Sequence, residues 1–172
     1  TQRAPDGVRT DTMGASESAR LATREGARFM RIAIASDHGG FDAKEQLRTW
    51  LEQAGHECVD FGCNSTDSVD YPDYAVPVAE SVATGRCERG VLVCGTGIGM
   101  SIAANKVKGI RAAVVTEEFS VQATREHNDA NILCLGARVV DEQKAVKLLD
   151  IFMDTPFSGE EKHKRRIGKL EQ

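Results

Sequence analysis

No apolar run in the 172 residues approaches the roughly 20 needed to cross a bilayer, so no membrane-spanning helix or membrane partner is expected. Excess positive charge is also missing. The net charge is −4 and the pI about 5.6, which removes any electrostatic support for a nucleic-acid partner. The five cysteines, Cys58, Cys63, Cys87, Cys94 and Cys134, form no CxxC pair. Their odd number suits a reduced compartment better than a disulfide framework, so a cytoplasmic protein is expected. Residues 1–29 lack both a sustained apolar period and the apolar stretch of a secretory signal. Their arginines hint at a transit peptide, against which stand Asp6, Asp11, Glu17 and Glu25. This stretch reads as a flexible N-terminal extension or an added leader, with one domain expected over residues 30–172.

What is present is ordinary soluble-domain composition, 41% hydrophobic and 28% charged, in a chain long enough for one proper core. From Met30 onward strand-like and helix-like segments alternate. RIAIAS (31–36) reads as a buried strand, and FDAKEQLRTWLEQAG as a helix with Phe41, Leu47, Trp50 and Leu51 at helical spacing and Gly55 as its stop. ECVDFG is a second strand. A helix from about Asp73 follows, with Pro77 expected in its first turn or at a kink. GVLVC, GIRAAVV and NILCLG complete five strands, each followed by a helical pattern, and the charged tail reads as a last short helix. This order predicts an α/β fold: a five-stranded parallel sheet flanked by helices in a doubly wound, Rossmann- or flavodoxin-like sandwich. Ligands in such sheets sit beyond the carboxyl ends of the strands, here after residues 36, 94, 115 and 136.

Polar groups gather at three of those ends: Asp37-His38, Cys94-Gly95-Thr96-Gly97, and Arg138. The stretch GVLVCGTGIGM admits three readings. Glycines at 95, 97 and 99 permit positive φ and close approach of backbone amides, which with a helix N-terminus favour an anion. The same field favours thiolate in Cys94, and a thiolate beside N–H donors suits proton removal next to a carbonyl. A dinucleotide cradle is the second reading. The third glycine arrives one residue early for GxGxxG, although Glu117 and Glu118 lie about where a ribose-binding acid would. A tight packing turn is the third. Spacing alone does not choose among them. His127-Asn128-Asp129 precedes the fifth strand and so falls at the opposite strand end unless the turn is long, and one resolution is a site shared with a second subunit. Lys162, His163, Lys164, Arg165 and Arg166 read first as a solvated helix face, although Lys162 and Arg166 share one side.

Taken together, IAIASDHGGFDAKEQL, DYPDYA, GVLVCGTGIGMSIAANKVKGIRAA, REHNDANILCLGARVV and TPFSGEEKHKRRIGKLE resemble the type B ribose-5-phosphate isomerase family and its sugar-phosphate isomerase relatives. The resemblance covers Met30 to about Gln172. It implies a metal-independent, cofactor-free enzyme interconverting ribose 5-phosphate and ribulose 5-phosphate. It implies a homodimer with active sites between subunits, and pairing of dimers into tetramers stays open. By position, Cys94 is implied as the base, His127 as the ring-opening acid/base, and Thr96 as an assistant. Gly95, Gly97, Ile98 and Gly99, with Ser101, would hold the enediolate oxygens. Asp37, Tyr71 and Asn128 would contact the sugar, and His38, Arg138, Lys162 and Arg166 the phosphate. Lys162 stands where arginine is frequent, keeping the charge without the fork. Alternatives are a 6-phosphosugar (allose or galactose 6-phosphate) isomerase, a non-catalytic nucleotide-binding module, or a structural subunit without activity.

Overall fold

The structure, a computed structural model, describes residues 28–172; residues 1–27 of the expected extension lie outside the described residues. The strands are β1 (Arg31–Ser36), β2 (Glu57–Asp60), β3 (Arg89–Cys94), β4 (Ala112–Val114) and β5 (Ile132–Gly136). The helices are α1 (Phe41–Gln53), α2 (Pro72–Ala83), α3 (Ile98–Ala104), α4 (Glu118–Asn128), α5 (Glu142–Asp154) and α6 (Glu161–Leu170). All strand pairs are parallel, in the order β2-β1-β3-β5-β4.

This order dictates the layers. Right-handed crossovers put the helices of leftward and rightward steps on opposite faces. The steps from β1 to β2 and from β4 back to β5 run one way, and those from β2 to β3 and β3 to β4 the other. Accordingly α1, α4 and α5 pack with Ile32, Ile34, Val91, Val93, Leu133 and Leu135 on one face. On the other, α2 and α3 cover Ala33, Ala35, Leu92, Cys94, Ile132 and Cys134. Strand residues are therefore apolar on both sides, as the short continuous runs predict. The backward step through α4 seats β5 inside, beside β3, and leaves three-residue β4 at the edge.

Three details depart from the expected elements. Pro72 takes the first helical position of α2, and Pro77 lies inside the helix, which leaves, of the two expected placements, the interior one rather than the first turn. A 3-10 turn, His38–Gly40, stands between β1 and α1, capped by Asp37. The αL cap of α4 is Asp129, with φ of 45°, a conformation Asp tolerates better than most residues.

One charge is wholly buried. Lys44 of α1 is 0% exposed, and its Nζ donates to both carboxylate oxygens of Asp60 at 3.0 Å and to the Cys63 carbonyl at 2.6 Å. Asp60 Oδ1 also accepts from the Gly62 N–H at 2.8 Å. The Gly62–Cys63 segment is in turn laced to Ser36: Ser36 N–H donates to Gly62 O and Cys63 N–H to Ser36 O. The end of β1, just before Asp37, is thus braced by the loop after β2.

Candidate active site

The chain leaves β1 and β3 towards opposite faces, and β3 and β5 likewise, so a crevice opens at their carboxyl ends. Asp37, Cys94 and Arg138 stand around it. Gly39 reaches the Cys94 turn, since a Cβ placed on it would lie 3.5 Å from Gly95 N. Backbone bonds tie the loops together: Ala137 N–H donates to Cys94 O at 2.9 Å, and Arg138 N–H to Gly95 O at 3.0 Å. The Arg138 side chain lies over Gly95, where a Cβ would sit 3.5 Å from its Cδ.

Cys94 is the last residue of β3 and only 6% exposed. Its Sγ accepts the Gly97 N–H at 3.1 Å. Gly97 caps α3 in the αL region, with φ of 77°, which turns its amide back towards the sulfur. Gly99 lets the Tyr71 ring approach, since a Cβ there would lie 2.9 Å from Tyr71 Cζ. Thr96 is exposed, and its Oγ1 accepts from Ile98 N–H at 3.3 Å. Ser101 donates its hydroxyl proton to Ile98 O at 2.7 Å, so only its lone pairs remain for a ligand. Asp37 Oδ1 accepts from Gly39 and Gly40 N–H at 2.9 and 3.2 Å, with its second oxygen free of that cap. His38 Nδ1 accepts the Val69 N–H at 3.2 Å, which fixes the tautomer with Nε2 as the donor.

A second group gathers at the other end of the sheet. His127 and Asn128 close α4, both exposed. Arg111, just before β4, donates to Asn128 O at 2.8 Å, Asp129 O at 3.0 Å and Glu171 Oε1 at 2.7 Å, tying α4 to α6. His127 stacks on His163 of α6, centroids 4.4 Å apart and planes 16° from parallel. Lys162 and Arg166 lie on the same helix and are exposed. A cavity of about 550 Å³ opens against Asn105, Lys108, Arg111 and Asn128, and Cys94 does not line it.

The sequence-predicted residues therefore fall into two groups. Asp37, His38, Tyr71, the Cys94–Ser101 turn and Arg138 come together at the carboxyl ends. His127, Asn128, Lys162 and Arg166 belong to the opposite edge. Gly136 pairs with Cys94, and Ile132 with Gly90; at about 3.3 Å per residue the four intervening steps put about 13 Å of sheet between the groups. Glu117 and Glu118 pair with Lys144 at 2.9 Å and Lys147 at 2.8 Å, bonds that compete with a ribose contact. Among the described residues no cluster of three or more His, Cys, Asp or Glu forms. Sequence reading left His163 in a solvated basic run, yet it is the one buried residue of α6. Ile167, four positions on, marks the same inward face and was the available signal.

The chain matches the family model described as Ribose/Galactose Isomerase over residues 32–170. It is 51% identical over 142 residues to a Bacillus subtilis protein named as a sugar phosphate isomerase, covering 82% of this chain and 95% of that protein. It is 43% identical over 140 residues to ribose-5-phosphate isomerase B of Escherichia coli, covering 81% and 93%. Among solved structures, ribose-5-phosphate isomerase B of Clostridium thermocellum superposes with a TM-score of 0.81 at 49% identity, over 83% of this chain and 95% of that one. The type B isomerase of Trypanosoma brucei gives 0.81 at 44%, over 84% and 98%. Matches that span nearly the whole described chain and nearly the whole of each relative leave one family: this chain belongs to the ribose/galactose isomerases.

Proposed function

We propose that the protein is an aldose–ketose isomerase of ribose 5-phosphate and ribulose 5-phosphate, with Cys94 as the base. The observation that carries the mechanism is the Gly97 N–H aimed at Cys94 Sγ inside a turn of close-approaching amides. In the open-chain sugar the Cys94 thiolate removes the C2 proton. The electron pair forms the C1–C2 double bond of an enediolate, whose oxygens face the turn's N–H donors. The O2 proton passes to O1 across the enediolate, and the thiol returns the carbon proton to C1, which gives the ketose. Thr96 and the free lone pairs of Ser101 bind sugar hydroxyls, with Asp37 and Tyr71 on the other side. His38 and Arg138 take the phosphate.

His127, Asn128, Lys162 and Arg166 enter from a second copy of the chain. This reading is supported by their position at the far edge and by the exposed apolar residues beside the Cys94 turn. Ile98 is 53% and Ile102 56% exposed, one helical turn apart, and Val114 on the edge strand is 38% exposed. Free cysteines suit a cytoplasmic enzyme.

Cys94→Ala tests the base: activity on ribose 5-phosphate should fall by about 10²- to 10⁴-fold, and near-wild-type turnover would remove Cys94 from the mechanism. Mixing inactive Cys94→Ala with inactive His127→Ala tests the shared site. Half the dimers would be mixed, each with one intact site, so about a quarter of wild-type activity should return; a site built within one chain recovers none. A second reading, a 6-phosphosugar isomerase, is favoured by a family that spans ribose and galactose isomerases. A higher kcat/KM for allose 6-phosphate than for ribose 5-phosphate would select it.

A further inference from the structure

The stacked histidine pair joins a candidate catalytic residue to one that no role yet uses. His127 is exposed on α4, while His163 beneath it is 6% exposed. The pair is built rather than incidental, because the segment between α5 and α6 is tied to the end of α4. Arg125, itself 4% exposed, donates from Nε to Thr155 O at 3.0 Å. Its NH1 donates to Asp129 Oδ1 at 2.8 Å and to Ala130 O, and its guanidinium lies 5.7 Å from the Phe152 ring centre. Ser158 N–H donates to Glu126 O at 3.2 Å. These bonds fix where α6 begins, and hence where His163 meets His127.

We propose that His163 is a positioning residue that acts through His127: its ring holds the His127 imidazole in one orientation and limits the pair to a single positive charge. The proposal rests on the reading of His127 as the ring-opening acid/base. Two imidazolium rings stacked at 4.4 Å would repel each other at close range, so one ring of the pair must stay neutral while the other works. Burial selects which. Desolvation and then the His127 charge hold His163 below the usual histidine range, with Lys162 and Arg166 acting in the same direction and Glu160 against it. Glu160 Oε1 is 4.0 Å from His163 Nε2, at the limit of an ion pair. On the α4 side, Asp129 is engaged by Arg125 at 2.8 Å and Arg111 at 3.7 Å, and Glu126 by Gln122 at 3.0 Å. The buried ring is therefore the one disfavoured as a cation, and the exposed ring faces solvent.

The test begins with the unmodified full chain. Histidine resonances of wild type, followed by NMR over about pH 5 to 8, should show His163 protonating only after His127, with the His127 signals moving a second time in that step. In His127→Asn the His163 midpoint should rise. Two independent single-proton curves, or a His163 midpoint unmoved by His127→Asn, would overturn the proposal. These readouts need no isomerase activity, so they stand if the wild type proves inactive on ribose 5-phosphate and the functional reading fails.

Kinetics add the second arm. His163→Ala, checked for folding by circular dichroism, should lower kcat roughly tenfold, a part of the about 10²–10⁴ a positioned proton donor supplies, with KM nearly unchanged. His163→Phe, which keeps the stacked ring, should recover most of that loss and give a single-step His127 titration. An equal rise of KM in both variants would make His163 a phosphate ligand instead, and overturn the proposal. Unchanged kcat in folded His163→Ala would do the same.

Discussion

Replacing Gly97 with alanine strikes the point where backbone conformation and chemistry meet. Gly97 sits at φ of 77°, and a Cβ there would come 2.9 Å from the Leu135 carbonyl carbon and 2.9 Å from Val114 Cγ2. The left-handed conformation costs a non-glycine residue about 1–2 kcal/mol, and forcing a methyl into packed atoms about 1–3 kcal/mol. The sum, about 2–5 kcal/mol, is a large share of the about 5–15 kcal/mol that holds a domain folded, yet leaves most molecules native. Relief of the clash must move the residue 97 backbone, and with it the N–H that lies 3.1 Å from Cys94 Sγ. A hydrogen bond to a charged group contributes about 1.5–3 kcal/mol, so kcat on ribose 5-phosphate should fall about 10- to 100-fold, with a clear loss of denaturant midpoint. Gly168→Ala is the control: nothing lies within 4 Å of a Cβ there, inside α6, and it should raise stability by about 0.5–1 kcal/mol. Wild-type kcat in a destabilised Gly97→Ala would refute the role of that amide. Wild-type stability would refute the strained-turn reasoning itself.

Lys44→Met should destabilise by about 1–3 kcal/mol, because it leaves the Cys63 carbonyl without its buried donor and removes one partner of the more exposed Asp60. Urea unfolding of Lys44→Met measures this, and a loss under about 1 kcal/mol would show the pair to be replaceable by packing. Alkaline stability follows from one half-buried and one buried thiol: partial burial pushes Cys58 up to about 12 from an ordinary 9.0, and burial pushes Cys134 up as well, aided by Cys94. Below about pH 9 folded and unfolded chains both keep these protons. Above it only the unfolded chain releases them, so stability falls as pH rises. The urea midpoint should drop as pH rises from about 9 to 11, and Cys134→Ala should make that drop shallower; an identical slope in the variant would assign the loss elsewhere.

The layers of the fold were legible in the sequence because each strand is a short apolar run, and alternating strands and helices leave little choice of hand. The position of β4 was not. GIRAAVV reads as a strand as central as the others, but only Ala112–Val114 pair, and the return through α4 is a topological choice without a local signature. Pro77 was legible as a constraint with two possible placements. With Pro72 at the first position of the helix, the second proline falls in its interior, where only the bond to the Asp73 carbonyl is lost. Within the site, the residues that follow strands could be placed because strand ends define the crevice. His163 could not, because one buried residue in a run of four cations is hidden by the composition of its neighbours.

The same topology makes a divided site unavoidable in one chain. A residue that follows a strand and one that precedes a parallel strand lie at opposite edges of the sheet, whatever their identity. Cys94 ends β3 and His127 precedes β5, so no rotamer change closes the gap of about 13 Å between their ends. In the proposed dimer this separation becomes an advantage. A two-fold interface brings the carboxyl-end group of one copy to the far-edge group of the other, and repeats the match a second time. Ile98 and Ile102 lie on the helix that begins at the Cys94 turn, so covering them necessarily brings the second copy beside that turn. Proton abstraction from carbon and proton transfer to the ring oxygen are then handled by groups on different chains. Each group would keep surroundings suited to the role proposed for it: a nearly buried sulfur facing an amide, and an exposed imidazole stacked on a buried one.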